Sequence, residues 1–124
     1  MNLTEHQIID IIEAAGFSMD EGNAPECNMR SDEKWFGMRG FSNSAFVIFN
    51  DILHWWDLAT YNEGNNKCKF SYSCVHDSNT IKLSDVTAQF LEDLVTKIKA
   101  NAMKAIKEMK EYTRKIRLQA IKEL

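Results

Sequence analysis

The chain predicts an α+β fold: an N-terminal helix, an antiparallel four-stranded meander sheet, and a long C-terminal amphipathic helix, or helix pair, packed on one sheet face. Three observations carry that expectation. Apolar residues recur at helical spacing before Gly16, the period changes to that of strands from Lys34, and no Gly or Pro interrupts the chain from Asp85 to Leu124.

The first helix has a clear start. Thr4 suits the N-cap position and Gln7 the reciprocal position of a capping box, while Ile8, Ile11, Ile12 and Ala15 form one apolar face. Gly16 is expected to end this helix, with Phe17 folding back on its face. The stretch from Ser18 to Glu33 is polar and acidic and holds the single proline, Pro25, so it reads as a loop with at most one short edge strand.

Aromatic and β-branched residues at Trp35 to Arg39 and Ala45 to Asn50 predict two strands joined across Gly40-Phe41-Ser42-Asn43-Ser44. Asn50-Asp51 predicts a turn into a third strand, Leu53 to Tyr61. Asn62-Glu63-Gly64-Asn65-Asn66 turns into a fourth, Lys67 to Val75. Connections this short favour antiparallel pairing, because parallel strands need long crossovers. In the fourth strand Cys68, Phe70, Tyr72 and Cys74 alternate with Lys69, Ser71 and Ser73, so one face of the sheet is expected to meet water. Thr80 to Leu83 can add a short final strand.

Ser84 is expected to cap the last helix, with Asp85 in its first turn. Run without a break to Leu124 it would measure about 60 Å, roughly twice the width of a small domain; a break near Ala100-Asn101-Ala102 is the alternative. Val95, Ile98, Ala102, Ala105, Met109, Tyr112 and Ile116 keep alternating steps of three and four, the spacing of a helix seam. A small sheet covers only the first half of such a rod. The expectation is therefore that Ala102, Ala105, Met109, Tyr112 and Ile116 pair with a second copy, giving a homodimer, or fold back on the chain's own body.

Composition bounds the rest. At 124 residues the chain fits a single domain able to bury roughly two-thirds of its unfolded surface. Three cysteines in irregular spacing fit reduced thiols, and no stretch is apolar enough to span a bilayer, so a cytoplasmic protein without membrane contact is expected. Charge divides the domain: residues 1–96 hold six of the fifteen basic and fifteen of the eighteen acidic residues, a balance of −9, whereas 97–124 carries +6. An acidic body thus precedes a basic helical extension.

Motifs for catalysis are missing. Cys68, Cys74 and His76, with Cys27 as a fourth, have thiol and imidazole groups suited to Zn²⁺, but their spacing matches no short zinc knuckle, and Cys68 and Cys74 fall on an apolar strand face. Asp51, His54 and Asp57 resemble a base with carboxylate partners, yet on a strand His54 points opposite to both carboxylates. Cys27 lacks a neighbouring base, and the glycines form no phosphate loop. No catalytic residue, metal or cofactor is assigned.

Binding residues remain. Lys104, Lys107, Lys110, Arg114, Lys115 and Arg117 make a basic helix face able to meet phosphates or an acidic protein surface. Adjacent Trp55 and Trp56 must point to opposite sheet faces, so one of them is offered as an anchor, with Asp20, Glu21 and Glu26 as an acidic surface beside it. The helix, meander, helix layout is similar to that of small secretion-chaperone-like domains, a resemblance that implies a dimer binding an unfolded partner. A compact, motif-free domain rich in Asn and Trp also resembles the accessory proteins of phages. That resemblance implies stoichiometric inhibition of a host defence or nucleic-acid-processing complex, as an anti-CRISPR-like inhibitor would do. A non-enzymatic protein-binding module is the leading expectation, with nucleic-acid binding as the alternative.

Overall fold

The computed structural model describes residues 2–19, 33–71 and 79–124, and shows an α+β domain with two helices and two antiparallel sheets. Helix α1 (Glu5–Ala14) begins with the capping box read from the sequence: the Gln7 N–H donates to Thr4 Oγ1 at 3.2 Å, and the Thr4 N–H donates to Gln7 Oε1 at 2.9 Å. Ile8, Ile9 and Ile12 are buried, so the apolar stripe is one residue wider than the spacing alone suggests. Gly16 ends the helix at φ +105°, a region that side chains with a Cβ avoid, and Phe17 returns fully buried into the core.

Strands β1 (Ser18–Met19), β2 (Lys34–Gly37), β3 (Ser44–Phe49), β4 (Ile52–Trp55) and β7 (Thr80–Lys82) form a five-stranded sheet in the order β1-β2-β3-β4-β7. Asn50 and Asp51 join β3 to β4 as a two-residue hairpin, both at positive φ (56° and 60°), the conformation whose twist matches that of paired strands. The expected third strand is two strands. After β4 the chain leaves the sheet at Trp56-Asp57, and β5 (Leu58–Asn62) pairs with β6 (Lys67–Ser71) in a separate two-stranded ribbon. The physical cause lies in the long helix. Asn101 donates its side-chain amide to the Asp57 carbonyl at 2.6 Å, and Lys97 approaches the Asp57 carboxylate at 3.6 Å, which draws this segment toward the helix. The place beside β4 is taken by β7 instead.

Helix α2 (Ala88–Lys122) starts later than expected. Ser84 and Asp85 belong to a short 3-10 turn (Leu83–Asp85), and Thr87 is the cap, its hydroxyl accepting from the Phe90 N–H at 3.2 Å. Its 35 residues run through Ala100-Asn101-Ala102 without a break, a length of about 52 Å. No helix among the described residues is long and apolar enough to cross a membrane.

One core joins both helices and both sheets. Phe36, Phe46 and Trp55 lie in register across β2, β3 and β4, with Trp55 edge-on to Phe90 of α2 at 6.0 Å and Phe17 edge-on to Phe46 at 5.1 Å. Phe70 of the ribbon stacks on Phe41 at 4.6 Å, carrying the same core under the C-terminal half of α2. Ile98, Ala102 and Ala105 are buried there, so the globular body extends past residue 96. The wet face expected for the fourth strand is present in its described part: Cys68 and Phe70 are buried while Lys67 and Lys69 are exposed.

Candidate interaction surfaces of the long helix

The seam expected to meet a second copy is largely occupied by the chain itself. Ala102 and Ala105 are buried, Met109 is half-buried with its sulfur 4.0 Å from the Cys68 thiol, and Tyr112 lies tilted against Tyr61 of β5 with ring centroids 6.0 Å apart. Of the five seam residues only Ile116, half exposed, stays open. Sequence spacing identified the correct face of the helix. It could not reveal that β5 and β6 would leave the main sheet to cover it.

Beyond Thr113 every residue from 114 to 124 is exposed. This overhang is 11 residues long, about 16 Å of helix along which no residue is buried. It carries Ile116, Leu118, Ile121 and Leu124, all at least half exposed, beside Arg114, Lys115, Arg117 and Lys122, with Glu123 as its one acidic side chain.

The six basic residues named from the sequence are all exposed, but they separate into two groups. At about 100° per residue Lys107, Lys110, Arg114 and Arg117 share the back of the helix, joined by Lys99 and free of carboxylates. Lys104 and Lys115 stand on its flank, in line with Glu108 and Glu111. That flank and β5 enclose a trough with two shallow depressions of about 300 Å³ each. Leu58, Ala59, Asn101, Lys104 and Glu108 line the first, and Glu63, Glu108, Glu111, Tyr112 and Lys115 the second; Tyr61 belongs to both.

Two groups beside the trough have displaced protonation equilibria. Burial pushes the Cys68 thiol up, and the Glu108 carboxylate adds to the effect. Loss of water at its ring raises Tyr61, helped by Tyr112, Glu63 and Cys68. A buried thiol held neutral is a poor nucleophile. Because the folded state holds this proton more tightly than the unfolded chain, the stabilisation is complete below the ordinary thiol value of 9.0 and declines as pH rises through it. Urea midpoints between pH 7.5 and 10 should accordingly fall more steeply for the native chain than for Cys68→Ala; parallel curves would disprove the assignment.

The tryptophans separate as their adjacency requires. Trp55 is buried against α2 and is therefore no surface anchor, which corrects that part of the expectation. Trp56 is half-buried on the opposite face, stacked on Trp35 at 5.9 Å, and the Trp35 indole donates to Glu33 at 2.8 Å. His54 shares that outer face, in register with Trp35 and Val47, whereas Asp57 is engaged by Lys97 of α2, so Asp51, His54 and Asp57 do not converge. Asp20, Glu21 and Glu26, together with Cys27, Cys74 and His76, lie outside the described residues. Among the described residues no group of three His, Cys, Asp or Glu side chains is placed to hold a metal ion.

Comparison with known proteins adds no template. The chain matches no family model, no curated protein and no solved structure. The functional reading therefore rests on the surfaces themselves.

Several of their residues escaped sequence reasoning. Leu58, Tyr61, Glu63, Glu108 and Glu111 carried no motif, and the one available signal, an uncharged run at Leu58–Asn62, was absorbed into a longer strand read as continuous with β4.

Proposed function

We propose that the protein acts by stoichiometric binding of a protein partner, with the overhang of α2 as the contacting element. The observation that supports this reading is the helix at 114–124, which presents apolar side chains to water and has no buried residue. Exposed apolar residues gathered on one short element mark interaction sites more often than plain surface. Helices of this length are marginal in isolation, so the packed part of α2 holds the overhang in shape and lowers the entropic cost of docking. Four cations against one acidic side chain suit an acidic groove. The likeness to phage accessory proteins extends the proposal to inhibition of a host nucleic-acid-processing complex.

Ending the chain after Thr113 tests this directly. The shortened protein should keep its melting temperature, because no buried residue is removed, and should lose the saturable 1:1 complex that the full chain forms with a partner captured from its host. Full capture by the shortened chain would sink the proposal.

A second reading follows from the stripe of Lys99, Lys107, Lys110, Arg114 and Arg117, which no carboxylate interrupts. Phosphate contacts along it would make affinity for duplex nucleic acid fall steeply with salt, and Lys107→Glu/Lys110→Glu, alone or with Arg114→Glu, would abolish that affinity. Protein binding through the overhang would survive Lys107→Glu/Lys110→Glu, which leaves residues 114–124 untouched.

A further inference from the structure

β5 has a strand neighbour on one side only. It pairs with β6 through five register positions, from Leu58↔Ser71 to Asn62↔Lys67, and no other strand among the described residues approaches it. Among the described residues, no backbone hydrogen bond outside the regular elements involves positions 58–62 either. An edge strand of this kind turns alternate N–H and C=O groups outward, ready to pair with another chain.

The remaining edges of the molecule are less available. β1 spans two residues and β7 three, ending on exposed Lys82. The outer side of β6 is covered: the Ser42 N–H donates to the Cys68 carbonyl at 3.0 Å and the Asn43 amide to the Phe70 carbonyl at 3.0 Å. Folded proteins usually blunt an open edge with a charge, a proline or a bulge. β5, Leu58-Ala59-Thr60-Tyr61-Asn62, has none of these, and Leu58 is 43% exposed.

The trough beside this edge has a polarity. Lys104 stands at the end nearer Leu58. At the other end Glu63 and Glu111 line the depression with Lys115 as its one cation, next to the paired rings of Tyr61 and Tyr112, and Glu108 borders both depressions. Three carboxylates beside two aromatic faces form a setting that attracts an ammonium or guanidinium group.

We propose that the open edge of β5 and the trough it shares with α2 take up an extended peptide segment of a partner protein, added as a third strand, with a Lys or Arg side chain placed over Tyr61 and Tyr112 among Glu63, Glu108 and Glu111. The backbone edge supplies affinity and the charged end supplies register, the division of labour used wherever peptides bind by strand addition. The proposal rests on the protein-binding reading above but uses a different face from the overhang.

The test uses the full-length chain and a displayed library of random ten-residue peptides. Enriched sequences should carry Lys or Arg at one constant position. In a synthetic copy of an enriched peptide, N-methylation of alternate amides should weaken binding roughly tenfold in one register, the equivalent of one lost backbone hydrogen bond, and little in the other. The double variant Glu63→Lys/Glu111→Lys changes only exposed side chains; it should bind that peptide at least roughly tenfold more weakly and select peptides with Asp or Glu at the same position. No enrichment over bare support, indifference to methylation in both registers, or unchanged binding by the double variant would each overturn the proposal. So would self-association in sedimentation that Thr60→Glu abolishes, since the edge would then belong to a second copy. Ile116→Asp/Ile121→Asp should leave peptide binding intact, so failure of the overhang reading is seen separately.

Discussion

Ala102→Glu is expected to lower the stability of the domain by about 3–5 kcal/mol, a large part of the roughly 5–15 kcal/mol available to a protein of this size. Ala102 is fully buried where α2 meets the core shared with the β5–β6 ribbon. A glutamate there has no room for its extra atoms and no cation to pair with, because Lys104 is exposed on the helix flank and Lys97 is engaged with Asp57. The charge must be neutralised or the ribbon must leave the helix. Urea unfolding followed by circular dichroism and tryptophan fluorescence measures the loss. The same variant separates two views of the helix seam. If Ala102 served only a contact between two copies, the variant would be a folded monomer with an unchanged urea midpoint, and that outcome would refute the packing described here.

The second large effect is expected at Phe46. Its ring is fully buried at the centre of β3, flanked in register by Phe36 and Trp55 and met edge-on by Phe17 at 5.1 Å. Phe46→Ala removes those contacts and leaves a cavity that rigid strands on either side cannot close, at a cost of about 3–5 kcal/mol. Because Phe17 follows α1 directly, the damage should include loosened docking of α1, visible as faster amide exchange at Ile8 and Ile12. Ile121→Ala provides the contrast. Its side chain is 64% exposed on the overhang, so the change should move stability by no more than about 0.5 kcal/mol. Similar losses for Phe46→Ala and Ile121→Ala would mean that the overhang is packed rather than free.

These two predictions also show which features were legible beforehand. The N-terminal helix was, because a capping box, a four-residue apolar stripe and a terminal glycine act within one short segment and agree with one another. The hairpin at Asn50-Asp51 was legible for the same reason: these residues tolerate positive φ better than most. The partition of Leu53 to Tyr61 between two sheets was not. Trp56-Asp57 carries no turn signal, and the break depends on Asn101 and Lys97, 44 and 40 positions from Asp57 in sequence. The start of α2 was displaced by three residues from its expected cap, because Ser84 and Thr87 are equally suitable locally. Packing of Val86 and the bond from the Leu3 N–H to its carbonyl keep Val86 extended between the 3-10 turn and the helix.

The candidate surfaces follow the same rule. That the helix has one apolar and one basic side was present in its spacing, since a periodicity of 3.6 maps sequence onto faces without further information. How far along the helix the apolar side would be used was not, because coverage depends on where β5 and β6 come to rest. Burial ends at Thr113, which makes residues 114–124 an overhang, and its source, the ribbon, leaves β5 with a strand on one side only among the described residues.

By itself, then, the sequence determined the class of fold, both helices, the turns and the side of the long helix that must be dry, because each is a local or periodic property of neighbouring residues. Tertiary structure alone decided that the expected dimer seam is filled from within the chain, that Trp55 is core while Trp56 stacks on Trp35, and that six cations divide into a back stripe and a trough flank. Those outcomes come from contacts between segments far apart in the chain, whose geometry no local pattern encodes.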